Sequence, residues 1–264
     1  MLRKFKIVFL PSVQGMRKVL NIIWQFFFVM NFLWWLCFFY WPLKFLFAKE
    51  SRWKASMKVQ RFWAGWLRVS MGVKTIVTYE EPLDPNKTYI YTPNHTNYLD
   101  ILTGYKIIPN YFHFIAKASL AKVPLFRVMF TKTHIPFDRS SKMESGLAFQ
   151  RAVKDIEKGF SILVYPEGTQ NRIEGQLLPF KPGAFKMAIE TNTPIVPVTT
   201  LNPFHILPHE KDLFKMRRGG PGKLYIKVGK PIYPEECNYS MEELQEKVYN
   251  IVLNNLQEYH GNKR

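Results

Sequence analysis

An uncharged run of 25 residues, Val19 to Leu43, constrains the fold of this 264-residue chain more than any other feature. As a helix the run extends about 37 Å at 1.5 Å per residue, which is enough to cross a hydrocarbon layer of about 30 Å. Basic residues flank it on both sides, so the positive-inside rule assigns no orientation. The run also carries three amides and five aromatic residues of the kind that favour a membrane interface: Asn21, Gln25 and Asn31, and Trp24, Trp34, Trp35, Tyr40 and Trp41.

A second helix is predicted directly after this run, over residues 51–70. Its apolar side chains recur at the i, i+3, i+4, i+7 and i+8 positions of an amphipathic helix, namely Val59, Phe62, Trp63, Trp66 and Leu67. Together the two segments favour a pair of helices that dips into one leaflet of a bilayer. A single membrane span and a buried helix of a soluble bundle are the alternatives.

The positive charge of the chain is concentrated in the same region. Of the net charge of +17, a surplus of +12 lies within residues 1–75, where Glu50 is the only acidic residue. Basic charge mixed with Trp and Phe indicates an anionic membrane surface as partner and not a nucleic acid. The two cysteines form no disulfide framework, and no metal-binding spacing occurs, so we expect no metal.

From about residue 75 onwards, short β-rich runs alternate with helical patterns. The predicted strands are 75–79, 88–92, 112–116, 133–137, 161–165, 195–199 and 223–228, and the predicted helices are 96–106, 120–131, 142–158, 183–191 and 241–258. Such alternation is typical of an α/β fold with helices on the faces of a sheet. We therefore predict membrane-associated helices over residues 1–74 and an α/β catalytic domain over residues 75–264.

A histidine and an aspartate five positions apart mark the first candidate site. His95 and Asp100 lie in the run Asn-His-Thr-Asn-Tyr-Leu-Asp, directly after the predicted strand 88–92. A neutral imidazole can take a proton from a hydroxyl, while a carboxylate fixes its tautomer and stabilises the imidazolium. A structural hydrogen bond between the two residues is the alternative interpretation.

Three further segments follow in order and give this pair a context. They are Ile135-Pro-Phe-Asp-Arg139, Val164-Tyr-Pro-Glu-Gly-Thr169 and Pro194-Ile-Val-Pro-Val198. Over roughly residues 75–200 the chain resembles the glycerolipid acyltransferases that make phosphatidic acid from lysophosphatidic acid. Their H-x4-D block, Arg-bearing second block, P-E-G-T third block and V-P-rich fourth block all occur here in the same order.

The resemblance implies a membrane-bound O-acyltransferase with the fold of that family, a mixed β-sheet flanked by helices. It would transfer a fatty acyl group from acyl-acyl carrier protein or acyl-coenzyme A to the sn-2 hydroxyl of 1-acylglycerol-3-phosphate, without a metal or cofactor. His95 is then the expected base and Asp100 its orienting partner. The expected substrate-binding residues are Lys117, Arg139 and Arg172 at the acceptor phosphate, and Glu167, Gly168 and Thr169 in one loop. Glu167 would either contact the glycerol or order that loop, and main-chain N–H groups near Gly168 would supply oxyanion donors. The expected location is the cytoplasmic face of a bacterial-type inner membrane, as a monotopic or single-span protein.

One position departs from the family pattern. The third block usually reads E-G-T-R, whereas Gln170 follows Thr169 here and the next basic residue is Arg172. Because guanidinium pairs with phosphate in a bidentate manner, the change leaves a second acceptor class open, another lysophospholipid or an aminoacyl lyso-lipid. A non-catalytic lipid-binding protein and an acyl hydrolase are the remaining alternatives, although no G-x-S-x-G nucleophile elbow is present.

Overall fold

The computed structural model describes residues 13–122, 127, 133–138, 140–208 and 219–261. A seven-stranded sheet with helices packed on both faces forms the centre of the molecule. The strands are β1 (Val73–Tyr79), β2 (Ile90–Pro93), β3 (Phe112–Lys117), β4 (Ile135–Phe137), β5 (Ser161–Leu163), β6 (Ile195–Thr200) and β7 (Gly222–Val228). The helices are α1 (Val13–Phe47), α2 (Trp53–Ser70), α3 (Leu99–Ile107), α4 (Lys142–Glu157), α5 (Gly183–Thr191), α6 (Pro203–Ile206) and α7 (Met241–Gly261).

The strand order is β1-β7-β6-β2-β5-β3-β4, and the sheet is mixed. β6, β2, β5, β3 and β4 all run in one direction, whereas β7 is antiparallel to β6 and parallel to β1. The predicted fold class, a mixed sheet flanked by helices, is therefore confirmed. Five strands end at one edge of the sheet, which is where open α/β sheets bind their ligands.

Each face of the sheet buries its own apolar core. α4, α5 and α7 cover one face, and α7 contributes a stripe of four side chains at four-residue intervals, namely Leu244, Val248, Val252 and Leu256. The other face is covered by α1, α2 and α3, where Leu67, Leu99 and Phe112 are fully buried. The N-terminal helices thus belong to the core of the protein.

α1 and α2 form an antiparallel hairpin. The ring centroids of Trp35 and Trp66 lie 5.6 Å apart, and the Asn31 amide donates a hydrogen bond to the Ser70 hydroxyl at 2.7 Å. Residues of α1 that lie closer to its N-terminus contact residues of α2 that lie closer to its C-terminus, as an antiparallel pair requires. Farther along, the Trp24 indole donates to the carbonyl at the end of α2, that of Met71, at 3.0 Å.

The two sides of α1 face different surroundings. A stripe on one side is buried against the protein along the length of the helix, formed by Phe28, Leu36, Phe39, Leu43 and Phe47. The other side is exposed and apolar; Trp34 is 71% and Trp41 68% accessible. Over Gly15–Phe47 this is also a helix long and apolar enough to cross a membrane. An exposed apolar surface of this extent is typical of a membrane contact.

Polar contacts fasten α2 to the sheet domain. The Arg61 guanidinium donates to three consecutive carbonyls, those of Ile108, Pro109 and Asn110, at 2.7, 2.8 and 2.7 Å. From α3, the Tyr105 hydroxyl donates to the Gln60 amide oxygen at 2.7 Å. Because a buried unpaired polar group is costly, these contacts fix how the hairpin sits on the sheet.

The secondary structure confirms most of the sequence-based elements. All seven predicted strands form, and the helix predicted from Lys142 begins with the Ser141 hydroxyl accepting from the Glu144 N–H at 3.2 Å. α3 starts at Leu99 and not at the predicted Thr96, because the N–H of Thr96 donates a hydrogen bond to the carboxylate of Asp100, in the first turn of the helix. The predicted helix 120–131 falls mostly outside the described residues, and Ala118–Lys122 forms a 3₁₀ turn.

The apolar stripe predicted for α2 divides between two environments. Trp63 and Leu67 are buried in the core, whereas Phe62 is 61% and Trp66 43% exposed. The exposed residues extend the exposed apolar side of α1. The apolar residues of one periodic pattern in α2 are thus divided between the protein core and the outer surface.

Arg61→Met tests the attachment of the hairpin. The change leaves three carbonyls without their charged donor, and hydrogen bonds to charged groups contribute about 1.5–3 kcal/mol each to stability. Because part of this loss is recovered by water, we expect a fall in melting temperature of roughly 5–10 °C in detergent, at about 2–4 °C per kcal/mol. Lys58→Met, on an exposed position of the same helix, is the control; an equal effect of both changes would contradict the role of Arg61.

Candidate active site

The common direction of the central strands brings the candidate residues together at one edge of the sheet. His95 follows β2, Glu167 follows β5, and Lys117 ends β3, and these three strands are neighbours in the sheet. The next strand, β4, leads to Asp138, while Arg139 lies outside the described residues. The sequence separations are large, yet the sheet order places the loops side by side.

The His95 and Asp100 side chains form a direct pair. Nδ1 of His95 lies 2.8 Å from Oδ2 of Asp100. The same carboxylate oxygen accepts the main-chain N–H of Thr96 at 2.6 Å and that of Asn97 at 3.0 Å. Asp100 is buried in the first turn of α3, where the helix dipole stabilises a negative charge. The carboxylate is thus an acceptor from every side, which assigns the imidazole proton to Nδ1.

This tautomer leaves Nε2 of His95 as the basic nitrogen. The His95 side chain is 19% accessible, and within the residues described by the structure Nε2 has no hydrogen-bond partner. A second pair, His113 and Asp155, has the same separation of 2.8 Å, but its histidine is inaccessible and its Nε2 contacts the Tyr111 hydroxyl at 2.9 Å. Of these two pairs, the one at His95 has the open nitrogen that a general base requires.

An aromatic ring fixes the plane of the imidazole. The Tyr165 ring stacks on His95 with a centroid distance of 4.0 Å and an interplanar angle of 20°. Burial raises the pKa of the Tyr165 hydroxyl well above its ordinary value, so the ring stays neutral next to the pair. This contact could not be predicted from the sequence, because Tyr165 lies in the third block, 70 residues from His95.

Glu167 joins the loops after β2 and β5. Oε1 accepts the main-chain N–H of His95 at 2.7 Å, and Oε2 accepts that of Leu178 at 3.1 Å. Desolvation by burial is the largest influence and raises the pKa of the carboxyl to about 7, although both N–H donors act to lower it. The observed contacts are those of a residue that orders the loop, one of the two roles expected from the sequence.

The rest of the third block forms a tight turn. The N–H of Gly168 donates to the Tyr165 carbonyl at 3.0 Å, so this amide is already engaged and is not a free oxyanion donor. Its φ of 67° lies in the left-handed region, which favours glycine. Thr169 and Arg172 are exposed at the surface, while the side-chain carbonyl oxygen of Gln170 is buried without a partner in the described part of the chain.

Lys117 lies in a positively charged surrounding at the end of β3. Hydrogen bonds from Ser140 hold the pKa of Asp138 below its ordinary value, and Lys122 and Lys117 add smaller electrostatic contributions in the same direction. The lysines and the end of β4 are therefore close in space. Lys117 is exposed, so its ammonium group is accessible to an anionic ligand.

Two asparagines next to His95 hold its loop. The Asn94 amide exchanges hydrogen bonds with the main chain of Thr200, at 3.1 and 2.7 Å. The Asn97 amide donates to the carbonyls of Pro203 and Leu207 at 3.2 and 2.7 Å. These contacts were not predicted, although the two asparagines on either side of His95 and Thr96 are a signal in the sequence that the loop is held by side-chain hydrogen bonds.

The comparisons with known proteins agree with this architecture. A family model described as Acyltransferase matches residues 74–201. A 1-acyl-sn-glycerol-3-phosphate acyltransferase of Haemophilus influenzae is 33% identical over 175 residues, which cover 64% of this chain and 68% of that protein. A chloroplastic protein of the same activity name from Brassica napus is 28% identical over 209 residues, covering 78% of this chain and 58% of that protein.

The chain does not span the full length of several relatives. It covers 58% of the Brassica napus protein, 57% of a relative from Chlamydomonas reinhardtii and 52% of one from Borreliella burgdorferi. The crystal structure of the 1-acyl-sn-glycerophosphate acyltransferase from Thermotoga maritima has a TM-score of 0.73 with 22% identity, covering 93% of this chain and 97% of that one. This likeness supports the fold, including the N-terminal helices.

Glu167 gives the protein a characteristic pH dependence. The pKa of its carboxyl is near 7 in the folded protein, against an ordinary value of 4.5, so the folded protein binds this proton more tightly than the unfolded chain. Ionisation therefore opposes folding increasingly as pH rises from about 4.5 through 7, by up to about 3 kcal/mol.

Glu167→Gln should remove this slope. At each pH we take the difference between the melting temperature of the unchanged protein and that of the variant. We expect this difference to be roughly 5–10 °C smaller at pH 7.5 than at pH 5. Glu236→Gln is the matched control, because hydrogen bonds lower the pKa of that carboxyl and its difference should stay constant above about pH 5.5. A constant difference for Glu167→Gln as well would show that Glu167 does not titrate in this range.

Proposed function

The chain belongs to the acyltransferase family, and we propose that it transfers a fatty acyl group from a thioester to the sn-2 hydroxyl of 1-acylglycerol-3-phosphate. The product is phosphatidic acid, and the reaction belongs to phospholipid biosynthesis. The observation that carries the proposal is the His95 and Asp100 pair, with one nitrogen bound to a buried carboxylate and the other open. The substrate follows from the names of the relatives.

The proposed mechanism uses the acceptor lipid as the nucleophile. Nε2 of His95 takes the proton of the sn-2 hydroxyl while its oxygen attacks the thioester carbonyl, and a C–O bond forms. Asp100 stabilises the resulting imidazolium through its contact at Nδ1. When the tetrahedral intermediate collapses, the C–S bond breaks and the imidazolium protonates the departing thiolate. A thioester is already activated, so the reaction requires no metal and no covalent cofactor.

The acceptor phosphate is assigned to the cationic side chains around this edge. Lys117 and Arg172 are exposed, and Arg139 follows β4, two residues beyond its end; guanidinium and ammonium groups pair with phosphate oxygens. We assign Gly168 and Thr169 to the substrate-facing turn and Glu167 to the ordering of that turn. Because Gln170 stands where the family usually has an arginine, the alternative acceptor is another lyso-lipid, one without a phosphate monoester.

The donor is acyl-coenzyme A or acyl-acyl carrier protein. Both are acidic, and a chain with a net charge of +17 attracts either one to a membrane-bound site through long-range electrostatics. We place the catalytic domain on the cytoplasmic face of a bacterial-type inner membrane, where such donors would be supplied.

The helix hairpin is proposed to lie in one leaflet. One side of α1 is packed on the protein along its length, and α2 is fixed to the sheet domain by Arg61. A transverse orientation of α1 would therefore draw polar parts of the domain into the hydrocarbon layer, which is energetically costly. The exposed aromatic side of the hairpin fits the interface instead.

His95→Ala tests the catalytic assignment. We expect turnover to fall by at least ~100-fold, the lower range for the loss of a positioned general base, with vesicle binding retained. The assay follows oleoyl transfer to lysophosphatidate by detergent-purified protein. His113→Ala is the matched control: it breaks a histidine–aspartate pair of equal length that is buried, so it should lower the melting temperature but keep turnover per folded molecule. Equal turnover of His95→Ala and the unchanged protein would exclude His95 as the base.

The same assay distinguishes the acceptors and donors. Lysophosphatidate and a monoacylglycerol are offered in parallel, each with oleoyl-coenzyme A and with oleoyl-acyl carrier protein. Phosphatidate formed by the unchanged protein but not by His95→Ala supports the proposal and identifies the donor. If only the phosphate-free acceptor gives product, Gln170 marks a change of acceptor to a lipid without a phosphate monoester. If neither acceptor gives product, the result favours a lipid-binding protein.

The membrane contact has its own test. Replacing Trp34, Phe38 and Trp41 together by Ser should weaken association with vesicles containing an anionic lipid by at least ~100-fold, because burial of each large apolar side chain contributes about 1.5–3 kcal/mol. The control replaces Met143 and Leu147, which are 73% and 58% exposed on α4, and should leave flotation with the vesicles unchanged. Flotation of the triple variant at the level of the unchanged protein would contradict the proposed surface.

A further inference from the structure

A cavity lies between α1 and the active-site edge of the sheet domain. Its volume is about 520 Å³, and its lining residues are Arg17, Asn21, His205, Gly219, Gly220 and Pro221. Cavities of a few hundred Å³ with a small number of polar groups are typical of small-ligand sites. We call it the α1 cavity. None of its residues belongs to the sequence blocks that mark the catalytic site.

Two of the lining residues, Arg17 and Asn21, begin a stripe of polar side chains along α1. Arg17, Asn21 and Gln25 follow each other at four-residue intervals, so they lie on one side of α1. Met16, Leu20 and Ile23 are exposed, by 53%, 59% and 57%. Polar side chains are expensive in contact with lipid, so this stripe is directed to the protein side, with its arginine at the cavity.

Close packing closes the inner end of the cavity. Gln25 is fully buried, and a Cβ atom on Gly219 would lie 3.2 Å from its Nε2 and 3.0 Å from Cδ of Pro208. Only a residue without a side chain fits there without displacing a neighbour. The inner wall is therefore built from main chain that approaches α1 closely, while Arg17 is exposed on the outer side.

The opposite wall is formed by His205 and by residues 219–221, which lead into β7. His205 lies in α6, whose Pro203 carbonyl accepts a hydrogen bond from the Asn97 amide beside the catalytic pair. Nε2 of His205 also lies 2.9 Å from Oε1 of Glu174. Glu174 belongs to the loop that carries Asn171, whose N–H donates to the His95 carbonyl at 2.7 Å. The α1 cavity is thus linked, through α6 and through the loop that carries Glu174, to the loop of His95.

The charges in the cavity favour an anion. The ion pairs formed among the described residues do not include Arg17, so its guanidinium at the cavity is available to a ligand. The nearby carboxylate of Glu174 already contacts His205, which reduces its repulsion of an anion. Guanidinium matches phosphate oxygens with two parallel N–H donors, and the Asn21 amide offers a further donor.

We propose that the α1 cavity binds a phosphate monoester at the membrane surface, at the entrance to the catalytic edge. The proposal rests on the proposed function only for the source of the phosphate, which is either the lysophosphatidate headgroup or a phosphate of the acyl donor. A lipid held by Arg17 and Asn21 would have its headgroup at the level of α1, beside the exposed apolar side of that helix. The site then collects a lipid substrate from the leaflet before the sn-2 hydroxyl meets His95.

The test measures binding separately from catalysis. In a His95→Ala background, which removes turnover, titration calorimetry in neutral detergent micelles measures the affinities for lysophosphatidate, monoacylglycerol and coenzyme A. Arg17→Ala removes the guanidinium, and Asn21→Leu removes the amide without changing the charge. Lys18→Ala is the matched control, because it removes the same charge from the next position of the same helix, outside the cavity.

Loss of a charged hydrogen-bond donor should weaken phosphate binding by at least about tenfold. We expect that loss for Arg17→Ala with lysophosphatidate, a smaller loss for Asn21→Leu, and a change below about twofold for Lys18→Ala and for monoacylglycerol. The same dependence on Arg17 with coenzyme A alone assigns the cavity to the donor phosphate. Equal affinities of the Arg17→Ala and Lys18→Ala proteins for both phosphate ligands would overturn the proposal, whatever the enzyme assay shows.

Discussion

Two buried carboxylates that accept main-chain N–H groups determine the geometry of the whole catalytic edge. Asp100 gathers the amides of Thr96 and Asn97 around the oxygen that holds His95, and Glu167 binds the amide of His95 itself. Both carboxylates are buried, and the main-chain donors offset part of the cost of that burial. The pKa of Glu167 rises to about 7, which shows that its two donors do not offset desolvation. The loop of His95, the proposed base, is therefore fixed both at its main chain and at its imidazole ring.

The local parts of the structure could be predicted from the sequence. Alternating β-rich and helical runs identify all seven strands, and Glu144, three positions after Ser141, marks that serine as a helix cap. The pair of His95 and Asp100 is also predictable, because five positions across a strand-to-helix turn bring the two side chains within reach. These features depend on contacts between residues that are close in the chain.

The long-range parts could not be predicted in the same way. β5 lies between β2 and β3 in the sheet, although it follows both in sequence, and this insertion is what brings Tyr165 and Glu167 to His95. The predicted start of α3 at Thr96 is wrong because the N–H of that residue has a strong acceptor in the Asp100 carboxylate. In α2, periodicity alone could not separate Trp63, in the core, from Phe62, on the surface, because both environments favour aromatic residues.

The topology also brings the N-terminal helix hairpin to the edge of the sheet that carries His95. α2 leads directly into β1, which runs parallel to β7, and β7 runs antiparallel to β6. The start of β1 therefore lies at the same edge as the ends of β6 and β2, where His95 follows. The hydrogen bond from Gly222 to the Gly72 carbonyl, at 3.0 Å, ties the two N-terminal strand ends together there. The helix hairpin is consequently joined to the sheet at the edge that carries His95, which is the arrangement that the proposed entry of a lipid acceptor requires.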